Sequence, residues 1–491
     1  MGKALMLQVT GSHVGKSLLT AALCRIIKEE GYRVAPFKSQ NMALNSYVTP
    51  DGLEIGRAQA LQAEACGLEA AVEMNPILLK PTGEMVAQVV VMGKPLANMT
   101  ARQYREDYLD TALPVVKQAL ATLMDRYDLV VMEGAGSPAE INLRERDIVN
   151  MRAAKIANAP VLLIGDIDRG GVFASLYGTL ALLYPEERDM VKGLIVNKFR
   201  GDLSLFDDGV RMLEDITQKP VLGVVPFLAS LALDEEDSVV LDYYRSGCEP
   251  ASEICIAVPK LPRLANFTDF APLGHEHGVR LTYVTKPEEV LAADAVILPG
   301  TKNTVQDLKF LEETGLSDAI FTAAARGTTV VGICGGYQML GQSIHDPHGV
   351  ETGHREFRAL GLLPVNTVFK LTKHTVRCSA FCRLPFYQGE VTGYEVHMGE
   401  SSTSGPPAFT IGHSKDGCAQ GEVWGTYIHG IFDNDEFRWG FINHLRGRKS
   451  LPALSSPLRY RQFRESELER LANHVRKHLS IPKILKIAGL K

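Results

Sequence analysis

The first half of the chain carries short apolar runs, separated by stretches in which apolar residues recur with helical spacing. The runs are ALMLQV from residue 4, RVAPF from 33, LVVMEGAG from 129, VLLIGD from 161 and GLIVNK from 193. Such runs, rich in β-branched residues and alternating with helices, are typical of parallel strands covered on both faces. The pattern predicts an α/β domain built on a parallel sheet.

A second series of the same kind follows. After VLGVVPF from residue 221 the chain becomes acidic and irregular, and strand-like runs resume with ICIAVPK from 254, AVILPG from 295 and TTVVGIC from 328. We therefore predict two α/β domains, at residues 1–228 and 253–440, joined by a linker at 229–252.

The last segment, residues 441–491, is predicted to be a helical extension. Within ESELERLANHVRKHL the apolar side chains fall on one helical face. They are Leu468, Leu471, Ala472, Val475 and Leu479. We expect this face to pack against the second domain, with the basic residues of the helix in solvent.

Composition excludes some function classes. The chain has 491 residues, of which 45% are hydrophobic and 22% charged, and a formal net charge of −5, so nothing attracts it overall to nucleic acid or membranes. No apolar run approaches the ~18 residues of a membrane helix. The N-terminal apolar run leads directly into a glycine loop, as a first strand would and a signal peptide would not. Eight cysteines lack C-x-x-C spacing, so we expect reduced thiols and a cytoplasmic location.

The stretch LMLQVTGSHVGKSLLTAALCRII has the parts of a phosphate-binding loop: a strand, a tight turn, a lysine and a hydroxyl at the start of a helix. The usual spacing G-x-x-x-x-G-K-[ST] would place a glycine at position 10, which is Thr10, and we expect Gly11 to give the turn its freedom instead. The predicted ATP-binding residues of the loop are Gly11, Ser12, Gly15, Lys16 and Ser17. The alternative is an ordinary glycine turn with a solvated lysine.

Two acidic residues are candidates to complete a Mg²⁺ site with Ser17. Glu133 directly follows the strand LVVM, and Asp51 lies in VTPDGLEIGRAQ; carboxylates near a phosphate loop are the usual hard-oxygen ligands of magnesium. Asp51 precedes a glycine, so it could equally belong to a turn. Asn197 ends the strand GLIVN and is a candidate for reading the nucleotide base, with a strand-end cap as the alternative.

In the second domain, VVGICGGYQML places Cys334 between an apolar strand and a predicted helix. This is how a nucleophile elbow is built: the helix N-terminus lowers the thiol pKa, and the following backbone N–H can donate to an oxyanion. The alternative is a buried core cysteine. A thiol nucleophile needs a base, and the spacing leaves His397 in GYEVHMG and His429 in GTYIHGIF both open. Gly300, in LPG, is a candidate second oxyanion donor.

These motifs, taken together, resemble the cobyric and cobyrinic acid synthase family of glutamine amidotransferases. The likeness covers nearly the whole chain and rests on PFKSQNMALNSYVTPDGLEIGRAQ, VMEGAGSPAEINLRERDIVNM, DIDRGGVFAS, NKFRGD, LPGTKNT, CGGYQML, GYEVHMG and GTYIHGIF. It implies an N-terminal P-loop domain of the dethiobiotin synthetase type and a C-terminal class I glutaminase domain.

The resemblance also implies roles for particular residues. Cys334 would be the nucleophile and His429 its base, Gly335 and Gly300 the oxyanion donors, and Gln338 a neighbour of the substrate glutamine. Lys16 and Ser17 match the phosphate loop, and Glu133 and Asp51 the metal carboxylates. Two departures stand out: dethiobiotin-type loops have glycine where this chain has Val9, and the usual triad acid two residues beyond the histidine is Ile431 here.

The implied activity is ATP- and glutamine-dependent amidation of the b, d, e and g carboxylates of adenosylcobyrinic acid a,c-diamide through acyl phosphates, with Mg²⁺. The partners implied are the corrinoid, glutamine and ATP. Basic residues that could hold this anionic substrate are Lys38, Lys80, Arg144, Arg146 and Arg169. One alternative is the amidation of cobyrinic acid at positions a and c. The other is a P-loop ATPase switch with a non-catalytic glutaminase-like domain.

Overall fold

The computed structural model describes residues 2–83, 85–233, 253–352 and 356–491. The first domain contains twelve of the described strands. They are β1 (Lys3–Val9), β2 (Val34–Phe37), β3 (Gln40–Met42), β4 (Ser46–Val48), β5 (Glu54–Gly56), β6 (Ile77–Gly83), β7 (Val86–Val91), β8 (Lys94–Thr100), β9 (Leu129–Glu133), β10 (Val161–Asp166), β11 (Val191–Phe199) and β12 (Val221–Pro226). Its helices are α1 (Lys16–Glu29), α2 (Arg57–Cys66), α3 (Ala101–Gln103), α4 (Leu109–Arg126), α5 (Met151–Ala157), α6 (Val172–Leu182), α7 (Pro185–Met190) and α8 (Asp207–Thr217).

The predicted parallel sheet is confirmed. Its strand order is β12-β11-β10-β1-β9-β2, all pairs are parallel, and every apolar run predicted for this domain lies in it. The central strand β1 is buried over six of its seven residues, as expected for a sheet covered on both faces. A small sheet, β3-β6-β7-β8, and the hairpin β4–β5 were not predicted; they lie between β2 and α4 in the chain.

The second domain begins after a gap in the described residues. Its strands are β13 (Ile254–Pro259), β14 (Val279–Val284), β15 (Ala295–Leu298), β16 (Thr329–Ile333), β17 (Ser343–His345), β18 (Glu356–Arg358), β19 (Val365–Cys382), β20 (Gly389–Thr403), β21 (Phe409–Ile411), β22 (Ser414–Asp416), β23 (Cys418–Gln420) and β24 (Val423–Thr426). The remaining helices are α9 (Ala271–Gly274), α10 (Pro287–Leu291), α11 (Thr304–Glu313), α12 (Leu316–Ala325), α13 (Gly335–Leu340), α14 (Asp435–Arg448), α15 (Tyr460–His478) and α16 (Ile481–Ile487).

The main sheet of this domain has the order β14-β13-β15-β16-β24-β23, parallel except for β23. A second sheet holds β17, β18, β19, β21 and β22, with the long strand β20 paired to β19. Residues 234–252 of the predicted linker lie outside the described residues. The predicted boundary at residue 440 falls inside the continuous helix α14.

The apolar face of the C-terminal helix α15 packs on the first domain, so the prediction that this face packs against the second domain was wrong. The start of the helix does contact the second domain, where Phe463 lies against His275. The apolar face itself was predicted correctly: Leu468, Leu471 and Val475 are buried, but in a core shared with β1 and α1. Arg464 forms an ion pair with Glu64 of α2 at 2.7 Å. Helical periodicity shows that a face is buried, but it does not say which surface covers it.

The β19–β20 hairpin joins the two domains. Arg377 of β19 donates to the backbone oxygen of Val48 at 2.9 Å and to the Tyr47 hydroxyl at 2.7 Å. The Tyr394 hydroxyl of β20 donates to the backbone oxygen of Ser46 at 3.2 Å. The hairpin β4–β5 is therefore held against the second domain.

A buried carboxylate lies at the same contact. Glu54 of β5 pairs with Lys80 of β6 at 2.6 Å and with Lys373 of β19. Burial alone would raise the pKa of Glu54, but the two lysines outweigh burial and hold it well below its usual range. The Glu54 carboxylate thus forms ion pairs with one lysine from each domain.

Candidate active sites

The phosphate loop takes its left-handed turns at positions other than the one predicted. Positive φ angles occur at His13 (60°) and Gly15 (90°), whereas Gly11 is outside this region and an added Cβ there would meet nothing within 4 Å. The expectation that Gly11 supplies the freedom of the turn was wrong. An added Cβ on Gly15 would lie 2.7 Å from Nδ2 of Asn197, so glycine is required there by both conformation and space.

Glu133 is the last residue of β9 and lies beside this loop. It is buried, and its Oε1 accepts a hydrogen bond from Nε2 of Gln59 at 2.7 Å. Lys16 Nζ is 3.8 Å from Oε2 and Lys38 Nζ is 3.4 Å from Oε1. Burial acts to raise the pKa of Glu133, but Lys16 and Lys38 lower it on balance, so the carboxylate is ionised at neutral pH.

Ser17 and Glu133 fit a magnesium site by the chemistry of their donors. The Ser17 side chain interacts with the Glu133 carboxylate, and a hydroxyl and a carboxylate are hard-oxygen ligands. Asp51 is placed differently: it is exposed, in the turn between β4 and β5, where an added Cβ on the adjacent Gly52 would lie 3.3 Å from the Thr375 backbone oxygen of β19. The described contacts bring Ser17 and Glu133 together but do not bring Asp51 to them.

Asn197 supports the loop from β11. Its Nδ2 donates to the backbone oxygen of Val14 at 2.7 Å, and the neighbouring Lys198 donates to the His13 backbone oxygen and lies 3.2 Å from Asp166. Asn197 and Lys198 therefore hold the backbone that would surround a phosphate. Asp166 and Lys198 were not predicted; the position of each at the carboxyl end of a parallel strand was the available signal.

Cys334 sits at the sharp turn between β16 and α13. Its φ is 52° and its ψ is −108°, a conformation that a non-glycine residue adopts only when the surrounding structure enforces it. Two residues on, an added Cβ at Gly336 would lie 2.0 Å from the Leu298 backbone oxygen, so only glycine permits this close packing. The predicted nucleophile elbow is therefore present in the backbone geometry.

His429 faces an acid that sequence analysis did not identify. Its Nδ1 is 2.6 Å from Oδ2 of Asp269, and the Gly430 backbone N–H donates to Oδ1 of the same residue at 3.1 Å. Burial alone would lower the pKa of His429, but the Asp269 carboxylate and the Cys334 sulfur outweigh burial and raise it to about 10. Asp269 lies 160 residues before His429, in a short turn with no pattern that singles it out.

His397, the other histidine left open by spacing, has different contacts. Its Nδ1 donates to the Gly399 backbone oxygen at 2.7 Å, and its ring stacks on Tyr427 with centroids 3.8 Å apart. Burial lowers the pKa of His397 to about 3, so it is neutral. The nearest carboxylate oxygen to His397, Oε1 of Glu395, is 3.9 Å away, whereas His429 lies 2.6 Å from Asp269 and is electrostatically coupled to Cys334, which favours His429 as the base.

The other predicted glutaminase residues surround Cys334. An added Cβ on Gly300 would lie 3.1 Å from Cε1 of His429 and 3.8 Å from Cβ of Cys334. Gly335 follows Cys334 and packs against Thr301, and Nε2 of Gln338 donates to the Tyr427 hydroxyl at 3.1 Å. The oxyanion roles of Gly300 and Gly335 and the substrate contact of Gln338 stay predictions.

Two cavities adjoin one another at the domain contact. One of about 550 Å³ contains Cys334 and His429, and it is also lined by first-domain residues, among them Lys80 and Gln88. The other, of about 920 Å³, lies in the first domain. Gly83 and Val86 line both.

The five basic residues predicted to hold an anionic substrate are distributed over several places. Arg144 and Arg146 line the larger cavity. Lys80 lines the smaller one and Lys38 contacts Glu133, whereas Arg169 is exposed in the turn after β10. Six cysteines of the described residues are free, as predicted, but Cys255 is disulfide-bonded, so the expectation of reduced thiols was wrong there.

Comparison with known proteins gives two domain matches. Residues 5–239 match the CobQ/CobB/MinD/ParA nucleotide binding domain, and residues 255–437 match the CobB/CobQ-like glutamine amidotransferase domain. The chain is 50% identical over 485 residues to a cobyric acid synthase of Geobacillus thermodenitrificans, covering 98% of this chain and 97% of the relative. It is 52% identical over 507 residues to a cobyric acid synthase of Moorella thermoacetica, covering 100% and 98%. Across the described residues, no helix combines the length and hydropathy needed to cross a bilayer.

Proposed function

Because this chain belongs to the cobyric acid synthase family, we propose that it amidates the b, d, e and g carboxylates of adenosylcobyrinic acid a,c-diamide. The chain is an ATP-dependent glutamine amidotransferase with a nucleotide-binding domain and a glutaminase domain. The observation that carries the proposal is the position of Cys334 and of His429, with Asp269 bonded behind it, at a cavity that adjoins a larger cavity of the nucleotide-binding domain.

In the glutaminase half, the Cys334 thiolate attacks the side-chain carbonyl carbon of glutamine. The protonated His429 gives its proton to the departing nitrogen as the carbon–nitrogen bond breaks, which leaves a thioester and ammonia. A water molecule, deprotonated by His429, then hydrolyses the thioester to glutamate. Asp269 keeps the imidazole oriented and stabilises its charged form, as the acid of a triad does.

In the nucleotide-binding half, the phosphate loop holds ATP and a corrinoid carboxylate attacks the terminal phosphate. The products are an acyl phosphate and ADP. This activation is needed because a carboxylate is a poor electrophile, whereas the phosphate of an acyl phosphate is a good leaving group. Mg²⁺, held by Ser17 and Glu133, would neutralise phosphate charge when bound. The adenine contact of Asn197 and a phosphate contact from Gly11 or Ser12 are parts of the proposal that rest on their positions in the sequence, and the metal contact of Asp51 rests on sequence position and the family resemblance.

The larger cavity is the proposed corrinoid site. Its walls combine apolar side chains, such as Met42 and Met99, with Arg144 and Arg146, which suits an apolar macrocycle that carries carboxylates. Ammonia released at Cys334 reaches the acyl phosphate past Gly83 and Val86, the residues that line both cavities. Attack by ammonia forms the amide and expels phosphate.

The experiment compares nitrogen donors in the full-length chain and in Cys334→Ala. With ATP and the corrinoid diamide, the native chain should form amides from glutamine or ammonium, whereas the variant should use only ammonium. The control is Cys378→Ala, which removes a buried free thiol from β19 and should keep both activities. Equal use of glutamine by Cys334→Ala and the native chain would refute the two-site reaction.

Two alternatives predict other results. A cobyrinic acid a,c-diamide synthase would consume cobyrinic acid and leave the diamide unchanged, so product analysis by mass spectrometry separates the two activities. A nucleotide switch with a non-catalytic second domain would hydrolyse no glutamine. The intact arrangement of Cys334, His429 and Asp269 favours catalysis over the switch.

A further inference from the structure

The cavity at Cys334 contains two ionisable groups of opposite sign that the proposed chemistry does not use. They are the carboxylate of Glu351, in the loop after β17, and the ammonium of Lys302, two residues after Gly300. Both side chains are half-buried. A charged group inside a protein needs a partner, so two such groups beside a nucleophile call for an explanation.

Glu351 is held at the first turn of α11. Its Oε2 accepts a hydrogen bond from the Val305 backbone N–H at 3.2 Å, and its Oε1 is 3.3 Å from the Thr304 hydroxyl. That hydroxyl is also 3.0 Å from Oε1 of Gln338, and the backbone N–H of Gln338 donates to the backbone oxygen of Cys334. These contacts connect the Glu351 carboxylate to the nucleophile helix through Thr304 and Gln338.

The N-terminus of α11 does not depend on Glu351 alone. The helix α11 already has an N-cap, because Oδ1 of Asn303 accepts a hydrogen bond from the Gln306 backbone N–H at 3.0 Å. No Lys or Arg side chain of the described residues forms an ion pair with Glu351 within 4 Å. Burial raises the pKa of Glu351 to about 8, and Lys302, which lines the same cavity, lowers this pKa only in part.

Lys302 is in the complementary situation. Its Nζ donates to Oε1 of Gln88 at 2.9 Å, and within the described part of the chain no carboxylate lies within ion-pair distance of it. Burial lowers the pKa of Lys302 to about 7, and the nearby Lys373 and Lys80 add to this effect. Those two lysines already share Glu54, so an incoming carboxylate would meet a positive region centred on Lys302.

A free amino acid carries the two charges that these groups lack. We infer that Glu351 binds the α-ammonium and Lys302 the α-carboxylate of the substrate glutamine, which directs the side-chain amide toward Cys334. The inference rests on the proposed function and extends it: the site would select a free α-amino acid and reject simple amides. Glu351 and Lys302 are then specificity-determining residues of the glutaminase half.

The test uses amides that lack one charge each. Glutaramate has the amide and the carboxylate of glutamine but no α-ammonium, and 4-aminobutanamide has the amide and the ammonium but no α-carboxylate. Ammonia release is measured with the full-length chain. The native chain should prefer glutamine to either analogue by about 10- to 100-fold in kcat/KM, because unpaired groups in the site penalise the analogue.

Glu351→Gln should lower kcat/KM for glutamine by about the same 10- to 100-fold and leave glutaramate hydrolysis unchanged. Lys302→Met should lower kcat/KM for glutamine by a similar factor and leave the hydrolysis of 4-aminobutanamide unchanged. The matched controls are Glu312→Gln and Lys309→Met, which change exposed residues of the neighbouring helix α11. Both should behave as the native chain.

The outcomes are separable. A variant whose kcat/KM falls by the same factor for glutamine and for its matching analogue would overturn the inference, because that result indicates a structural role. Ammonium-dependent amide formation checks that each variant is folded. If the native chain releases no ammonia from glutamine, the proposed function itself fails; if it does and selectivity is unchanged in both variants, only this inference fails.

Discussion

The two candidate sites are assembled in opposite ways. The phosphate site is local: residues 10–17 form one continuous loop, and Glu133 joins it from a neighbouring strand of the same sheet. The glutaminase site collects Asp269, Gly300, Cys334 and His429 from four separate segments. A local site depends on the conformation of one turn, whereas a dispersed site depends on how several elements pack. The first kind is much easier to recognise in a sequence.

The largest expected effect separates the two sites by their substrates. Lys16→Ala should reduce amide formation by about 1000-fold or more with either glutamine or ammonium, because it removes the cation that the phosphate loop provides. Glutamine hydrolysis should survive at a measurable rate. The measurement is amide formation beside glutamate release, with the exposed Lys28→Ala of the same helix as control. Loss of only the glutamine-dependent reaction would contradict the assignment.

The second prediction concerns the dispersed site. Asp269→Asn should lower kcat for glutamine hydrolysis by about 100-fold or more, because His429 loses the carboxylate that orients it and stabilises its charge. Amide formation from ammonium should continue. Asp318→Asn, an exposed acid of α12, is the control. A near-native kcat in Asp269→Asn would mean that Cys334 and His429 act as a dyad.

The third prediction tests the local site by comparing two of its glycines. Gly15→Ala should raise KM for ATP by about 10-fold, because alanine is strained at a φ of 90° and its Cβ would press on Asn197. Gly11→Ala should change KM little, since the space around Gly11 is open and the backbone N–H is retained. Steady-state kinetics with varied ATP gives both values. Equal effects would show that the turn changes shape when nucleotide binds.

The smallest expected effect is a pH dependence of stability. The folded pKa of His429 is about 10, above the ordinary value of 6.5, so its protonated form stabilises the fold fully below about pH 6.5 and this stabilisation is lost as pH rises toward 10. The Tm of the native chain should therefore exceed that of Asp269→Asn most at low pH, with the difference shrinking up to pH 10. A difference that stays constant with pH would contradict the raised pKa.

Local patterns predicted much of this molecule. The six strands of the first main sheet, three strands of the second (β13, β15 and β16), the elbow at Cys334 and the Lys16–Ser17 helix start follow from a few consecutive residues, and the structure contains them. The missing parts depend on tertiary packing. Asp269 has no local signature as a triad acid, because its role comes from lying opposite His429 in the fold.

Two wrong expectations have the same cause. The apolar face of α15 was recognised, yet nothing within the helix indicates that α1 covers it. Gly11 looked like the flexible residue of the loop because it stands nearest the displaced glycine, but Asn197, which follows Val14 by 183 residues in the chain, sets which residue must be small. Propensity describes what a residue can do, and packing decides which of these options is used.

Glu54 has a consequence for attempts to divide the protein. Since the single charge of Glu54 is shared by Lys80 and Lys373, cutting the chain between the domains would leave Lys373 on the glutaminase piece without its carboxylate and Glu54 with one lysine instead of two. We expect the separately expressed halves to associate tightly when mixed, and the isolated glutaminase half to be poorly soluble. The contact between the two domains thus has an electrostatic component.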